Sequence, residues 1–181
     1  LISAFTPPQT YSESPNGFGG SATASSATAL PEGAVFGPHN IVSFEDYATG
    51  MAYAKKVNKP VLIDFTGRAC QNCRLMENNV WSDETVLNSL KNDVVLISLF
   101  GDERKELPEN EKYISKETGS QITTVGQKWS EFQIQKYGSN ARPFYVLLNH
   151  KEEKLATPVP YTPNVEEYAS WLKAGIANFK K

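Results

Sequence analysis

The sequence predicts an α/β fold: a central mixed sheet flanked by helices, with an extended N-terminal linker and an insertion in the second half. Three observations predict it. Val61-Leu62-Ile63-Asp64-Phe65 and Val94 to Phe100 are nearly continuous apolar runs, the pattern of strands covered on both faces. Segments with apolar residues at helical spacing separate them. The first run passes through a glycine-containing turn into Cys70-Gln71-Asn72-Cys73, where a helix begins.

The chain has 181 residues, enough for one domain and a tail. We place a flexible linker over residues 1–38 and the folded domain over 39–181. The formal net charge is −2 and no Lys/Arg run occurs, so composition argues against nucleic-acid binding. No apolar run approaches the roughly 20 residues a membrane helix needs. The chain begins at Leu1, without Met or signal peptide, and reads as a mature form or an excised fragment.

Taken in order, residues 1–38 are rich in Ser, Thr, Ala, Gly and Pro, with too few large apolar residues to offset the entropy of ordering. Ser43 to Val57 reads as a helix capped by Ser43, with Phe44, Tyr47, Met51 and Ala54 on one face. Asn58-Lys59-Pro60 ends it and leads to the Val61 strand. Leu75, Met76 and Val80 continue the helix that starts at the cysteines. Ser82-Asp83-Glu84 starts another, with Val86, Leu87 and Leu90 inward. Asp102–Gln127 is a long polar insertion, for which we expect a short helix over Asn110–Glu117. Trp129, Phe132 and Tyr137 mark a helix face closed by Gly138. Pro143 opens a strand over Phe144–Leu148. Lys154 to Tyr161 is its expected hairpin partner, confined to an edge by Pro158 and Pro160. Thr162-Pro163 begins the last helix, with Val165, Tyr168, Leu172, Ile176 and Phe179 inward.

The chemistry resides in Cys70 and Cys73, the only cysteines. A sulfur at a helix start sits at the positive end of the macrodipole, beside unpaired backbone N–H groups. Both favour the thiolate, the nucleophile of disulfide exchange. Cys70 would attack a partner's disulfide, and Cys73, one turn further in, would resolve the mixed disulfide. The redox group is then the cysteine pair itself, and no organic cofactor is needed. A structural zinc site needs four ligands; His39 and His150 are isolated and no second cysteine pair exists, so we assign no metal.

These residues resemble the thioredoxin superfamily over about Ser43 to Lys181. Asp64 stands six positions before Cys70, where thioredoxins carry a buried carboxylate behind the second cysteine; Tyr137-Gly138 precedes Pro143 as in the segment leading to the cis-proline that faces the dithiol. The resemblance implies a thioredoxin-like fold, a proton-exchanging role for Asp64 and a cis bond before Pro143. More narrowly, Lys59-Pro60, Asp64, the dithiol, Glu77 and the segment Val80 to Val86 look like the C-terminal periplasmic domain of the DsbD family. That implies a protein-disulfide reductase, fed by a membrane-embedded dithiol of an upstream domain and passing electrons to periplasmic thiol proteins. It also implies that Glu77 acts on the thiols. The alternative for Glu77 is an exposed helix acid. Arg142 and Pro143, with Ala69, form the expected partner-binding edge. Ala69 and Arg142 depart from the family pattern, which has an aromatic residue before the first cysteine and a small or β-branched one before the proline. Arg68 and Arg142 either meet acidic partner surface or are ordinary exposed arginines. The competing readings are a free-standing thioredoxin-like oxidoreductase and a module that holds a soft metal between the two thiolates.

Overall fold

The computed structural model describes residues 29–180. The first 28 residues of the linker expected over 1–38 lie outside them. Five strands form the sheet: β1 (Ala34–Phe36), β2 (Val42–Phe44), β3 (Val61–Thr66), β4 (Val95–Phe100) and β7 (Phe144–Leu148), in the order β1-β2-β4-β3-β7. β2, β4 and β3 run parallel, while β1 and β7 are antiparallel at the two edges. This is the expected mixed sheet with helices on both faces.

Alternation along the strands separates two cores. Leu62, Leu96, Tyr145 and Leu147 point to one face. There they meet α2 (Gln71–Asn79), α3 (Glu84–Asn92) and α5 (Val165–Phe179) through Met76, Val80, Val86, Leu90, Tyr168 and Leu172. Val61, Ile63, Phe65, Ile97, Leu99 and Val146 point to the other, against α1 (Tyr47–Val57) and α4 (Val125–Tyr137). Asp64 has the parity of Leu62, so it lies in the first core, under α2.

Several expected boundaries move. Ser43 is no helix cap: Val42–Phe44 is a strand, and the cap of α1 is Asp46, whose carboxylate accepts the Thr49 N–H at 2.9 Å. Ser43 and Phe44 are buried between β1 and β4, and that pairing outweighs a capping pattern visible only locally. Ala34–Phe36, placed in the linker by composition, is the edge strand that pairs with β2. The last helix starts at Val165 with Asn164 as its cap, because the Asn164 side chain accepts the Glu167 N–H; Thr162-Pro163 lies outside it. Lys154 to Tyr161 pairs with β7 through isolated bridges at Lys154 and Val159 and the Leu155 N–H donated to the Leu147 carbonyl, not through a continuous ladder, since prolines interrupt it.

The insertion contains no helix over Asn110–Glu117. A single 3₁₀ turn, Glu109–Glu111, leads to a two-stranded ribbon of β5 (Tyr113–Ile114) and β6 (Gln121–Ile122). The Tyr113 hydroxyl donates to the buried Glu131 carboxylate at 2.5 Å, tying the ribbon to α4. Thr124 and Gln127 form a capping box at the start of α4, and Gly138 closes it in the left-handed conformation.

Gly126, in the first turn of α4, packs against backbone. A Cβ there would lie 2.6 Å from Glu103 N, 2.7 Å from Glu103 O and 2.7 Å from Gly101 O. Alanine gains at most about 1 kcal/mol of helix propensity, but backbone atoms cannot rotate away, and overpacking costs about 1–3 kcal/mol. The clash wins. Gly126→Ala will lower stability by about 2 kcal/mol in urea unfolding; an unchanged or raised midpoint refutes this packing account.

Candidate active site

β3 delivers the site. Its last residue, Thr66, passes into Gly67-Arg68-Ala69, and Cys70 follows as the N-cap of α2. The Cys70 sulfur accepts the Cys73 N–H at 3.2 Å. A side-chain acceptor at this place meets one of the helix's unpaired N–H groups. The two cysteines are joined in a disulfide, with Cα atoms 5.2 Å apart. Cys70 is half-buried and Cys73 fully buried, as attacking and resolving sulfurs require.

Asp64 is 3% exposed and its Oδ1 has no hydrogen-bond partner among the described residues. Burial, with the negative charge of Glu77, pushes its carboxyl up to about 8, against the opposing pull of Arg74. Glu77 is 8% exposed, so it is not a surface acid. Burial raises its carboxyl too, while Arg74 and His39 oppose the rise. Two acids thus share the space behind the dithiol helix, one from the strand and one from α2.

The neighbouring strands complete the edge. β3 and β7 pair Phe65 with Phe144, so Pro143 emerges beside the end of β3, at the turn that carries Cys70. The Arg142–Pro143 peptide is cis, and Pro143 is buried. Gln133 of α4 fixes this loop by donating to the Ala141 carbonyl at 2.7 Å. Arg142 is exposed and covers Gly101: a Cβ on that glycine would lie 2.9 Å from the Arg142 guanidinium carbon.

Sequence reasoning missed Asp102. It follows β4, and its carboxylate accepts the N–H groups of Arg68 at 2.7 Å and Ala69 at 2.9 Å. Burial would raise its carboxyl, but those two N–H donors and the Arg142 charge hold it below the usual carboxylate range. Asp102 therefore locks the turn that presents Cys70, and a Cβ on Gly67 would come within 3.1 Å of it. The only signal in the sequence was an acid one glycine beyond a buried strand. Arg68 is engaged within the chain. It lies 3.6 Å over the Phe100 ring, with Glu45 and Glu103 at 3.3 and 3.1 Å.

A model of the thioredoxin-like family matches residues 41–149, a span that takes in the strand, the dithiol, both acids and Pro143. The chain belongs to the thioredoxin-like family. Its Cys70–Cys73 disulfide at a helix start, backed by a buried acid and bordered by a cis-proline, is the site of a thioredoxin-like thiol–disulfide oxidoreductase. Among solved structures, this thioredoxin-like chain is similar to the DsbH oxidoreductase, at 19% identity over 74% of this chain and 83% of that one, with a TM-score of 0.54. It is also similar to a thioredoxin from Thermus thermophilus, at 22% identity over 70% and 81% of the two chains, with a TM-score of 0.50. Both are likenesses of fold. No curated protein matches the chain.

Proposed function

We propose that this domain is a protein-disulfide reductase of the DsbD type. Its Cys70–Cys73 pair takes electrons from a membrane-embedded dithiol and passes them to periplasmic thiol proteins. The reading rests on the buried pair Asp64 and Glu77. A nearby carboxylate, or a medium that resists charge, disfavours the thiolate. A strongly oxidising disulfide owes its potential to a stabilised reduced form. Acids behind the helix withhold that stabilisation and favour the reductant direction. The resemblance of Lys59-Pro60, Asp64, the dithiol, Glu77 and the segment Val80 to Val86 to the DsbD family supports the same direction, the periplasmic setting and the upstream membrane partner.

Equilibration against glutathione or dithiothreitol tests the direction. We expect a potential more reducing than about −200 mV; a value near −120 mV, that of a strong disulfide donor, would reject it. Trapping with Cys73→Ala in periplasm and membranes tests the partners. Cys70 is expected to carry both a membrane-protein thiol and periplasmic thiol proteins in mixed disulfides. Capture of cytosolic proteins alone would count against this placement.

A further inference from the structure

Arg74 stands directly after Cys73, and its guanidinium is held on two sides. Nη1 lies 3.0 Å from Glu77 Oε2. Nη2 donates to the Gly67 carbonyl at 2.9 Å and lies 3.4 Å from Thr66 Oγ1. The same carbonyl accepts the Cys70 N–H at 3.4 Å. Nε of Arg74 is buried without a partner among the described residues, as is Oδ1 of Asp64. One cation is thus pinned between the end of the strand that carries Asp64, the turn that carries Cys70, and Glu77.

The other groups around the acids do not replace it. Tyr145 of β7 and Tyr168 of α5 face Asp64, and burial holds both neutral by pushing their ionisation well above the ordinary tyrosine range. His39 approaches from the turn before β2; its Nε2 lies 2.6 Å from the Glu77 carbonyl oxygen, and it opposes the rise of the Glu77 carboxyl but is not among the groups that act on Asp64. Arg74 acts on both carboxyls.

We propose that Arg74 is a positioning residue that apportions the proton between Asp64 and Glu77, and thereby sets the pH at which Cys73 resolves the mixed disulfide. This rests on the thiol–disulfide exchange reading. Arg74 keeps Glu77 ionised and leaves the exchangeable proton on Asp64. In the resolving step Asp64, once it has given that proton to solvent, takes the Cys73 thiol proton while that sulfur attacks Cys70 Sγ. The Cys70–Cys73 bond forms, the Cys70–partner bond breaks, and the partner leaves as a thiolate that solvent protonates. Two electrons pass from the dithiol to the partner's disulfide. Without the cation, both carboxyls keep their protons to higher pH, and the base is available only there.

The reduced full chain reacting with 5,5′-dithiobis(2-nitrobenzoate) separates the steps. Attack by Cys70 releases one coloured thiolate, and resolution by Cys73 releases the second. In Arg74→Gln the pH midpoint of the second release should rise by about one unit, roughly tenfold slower at pH 7. Arg74→Lys, which keeps the charge but not the fork that grips Gly67, should restore the midpoint. A midpoint indifferent to charge at position 74 overturns the proposal. Infrared titration of the wild type needs no Arg74 variant, its carboxyl bands being assigned with Asp64→Asn and Glu77→Gln. Finding the proton on Glu77 at pH 7 overturns the proposal, and finding it on Asp64 supports it. A wild type that releases no second equivalent overturns the exchange reading itself, and this proposal with it.

Discussion

Cys70→Ser is expected to abolish disulfide reduction while leaving the fold in place. The two halves of this result have separate causes. Activity disappears because a serine hydroxyl is not ionised at neutral pH and forms no disulfide, so neither attack nor regeneration can occur. The fold persists because the Cys70 sulfur is also the N-cap of α2, accepting the Cys73 N–H. Serine is among the preferred residues for that place. The lost crosslink spans only three positions, and closing so short a loop constrains the unfolded chain least, so the change in stability should stay within about 2 kcal/mol. Insulin reduction and urea unfolding, run side by side on wild type and variant, check both halves. Residual turnover above a few per cent would remove Cys70 from the role of nucleophile.

Asp64→Asn should make the protein more stable and a poorer catalyst. An unfolded aspartate titrates at roughly 3.9, whereas burial lifts Asp64 to about 8. Between these values the folded chain holds a proton that the unfolded chain has lost. Folding is therefore coupled to proton uptake, and wild-type stability declines as pH rises from about 4 to about 8. Above that window the whole cost of a buried charge is present. Asparagine has nearly the same shape and no charge, so its variant should lack this slope. At pH 8 it should exceed the wild type by an amount on the order of 3 kcal/mol, and at pH 4 by little. Losing the base should slow resolution by roughly 100-fold at pH 8, the lower end of what a positioned acid or base contributes. Unfolding of the oxidised forms at pH 4, 6 and 8 measures the first effect, and the rate of second thiolate release measures the second. Parallel stability profiles for the two proteins would show that Asp64 does not titrate as described.

Much of this was legible before the structure. Continuous apolar runs mark β3 and β4 because strands covered on both faces need no polar alternation. Gly138 and Pro143 mark where α4 ends and β7 begins, since few other residues take those backbone conformations. The errors lie where local signals met tertiary pairing. Ser43 followed by two acids resembles a helix start, yet its segment is drawn into the sheet by β1 and β4. Asn110–Glu117 has helix-forming residues, but Tyr113 and Ile114 pair with Gln121 and Ile122 instead.

The amino-acid order alone determined the sheet's central strands, the dithiol at a helix start and the acid behind it, because each rests on residues near in sequence. Only the tertiary structure decided that Glu77 is buried, that Asp102 locks the turn before Cys70, and that Arg74 ties Glu77 to the Gly67 carbonyl of that turn. Those facts depend on which side chains meet across the end of the sheet. Burial and charge pairing act through space, where residues 34 positions apart in the chain, such as Arg68 and Asp102, stand within 2.7 Å.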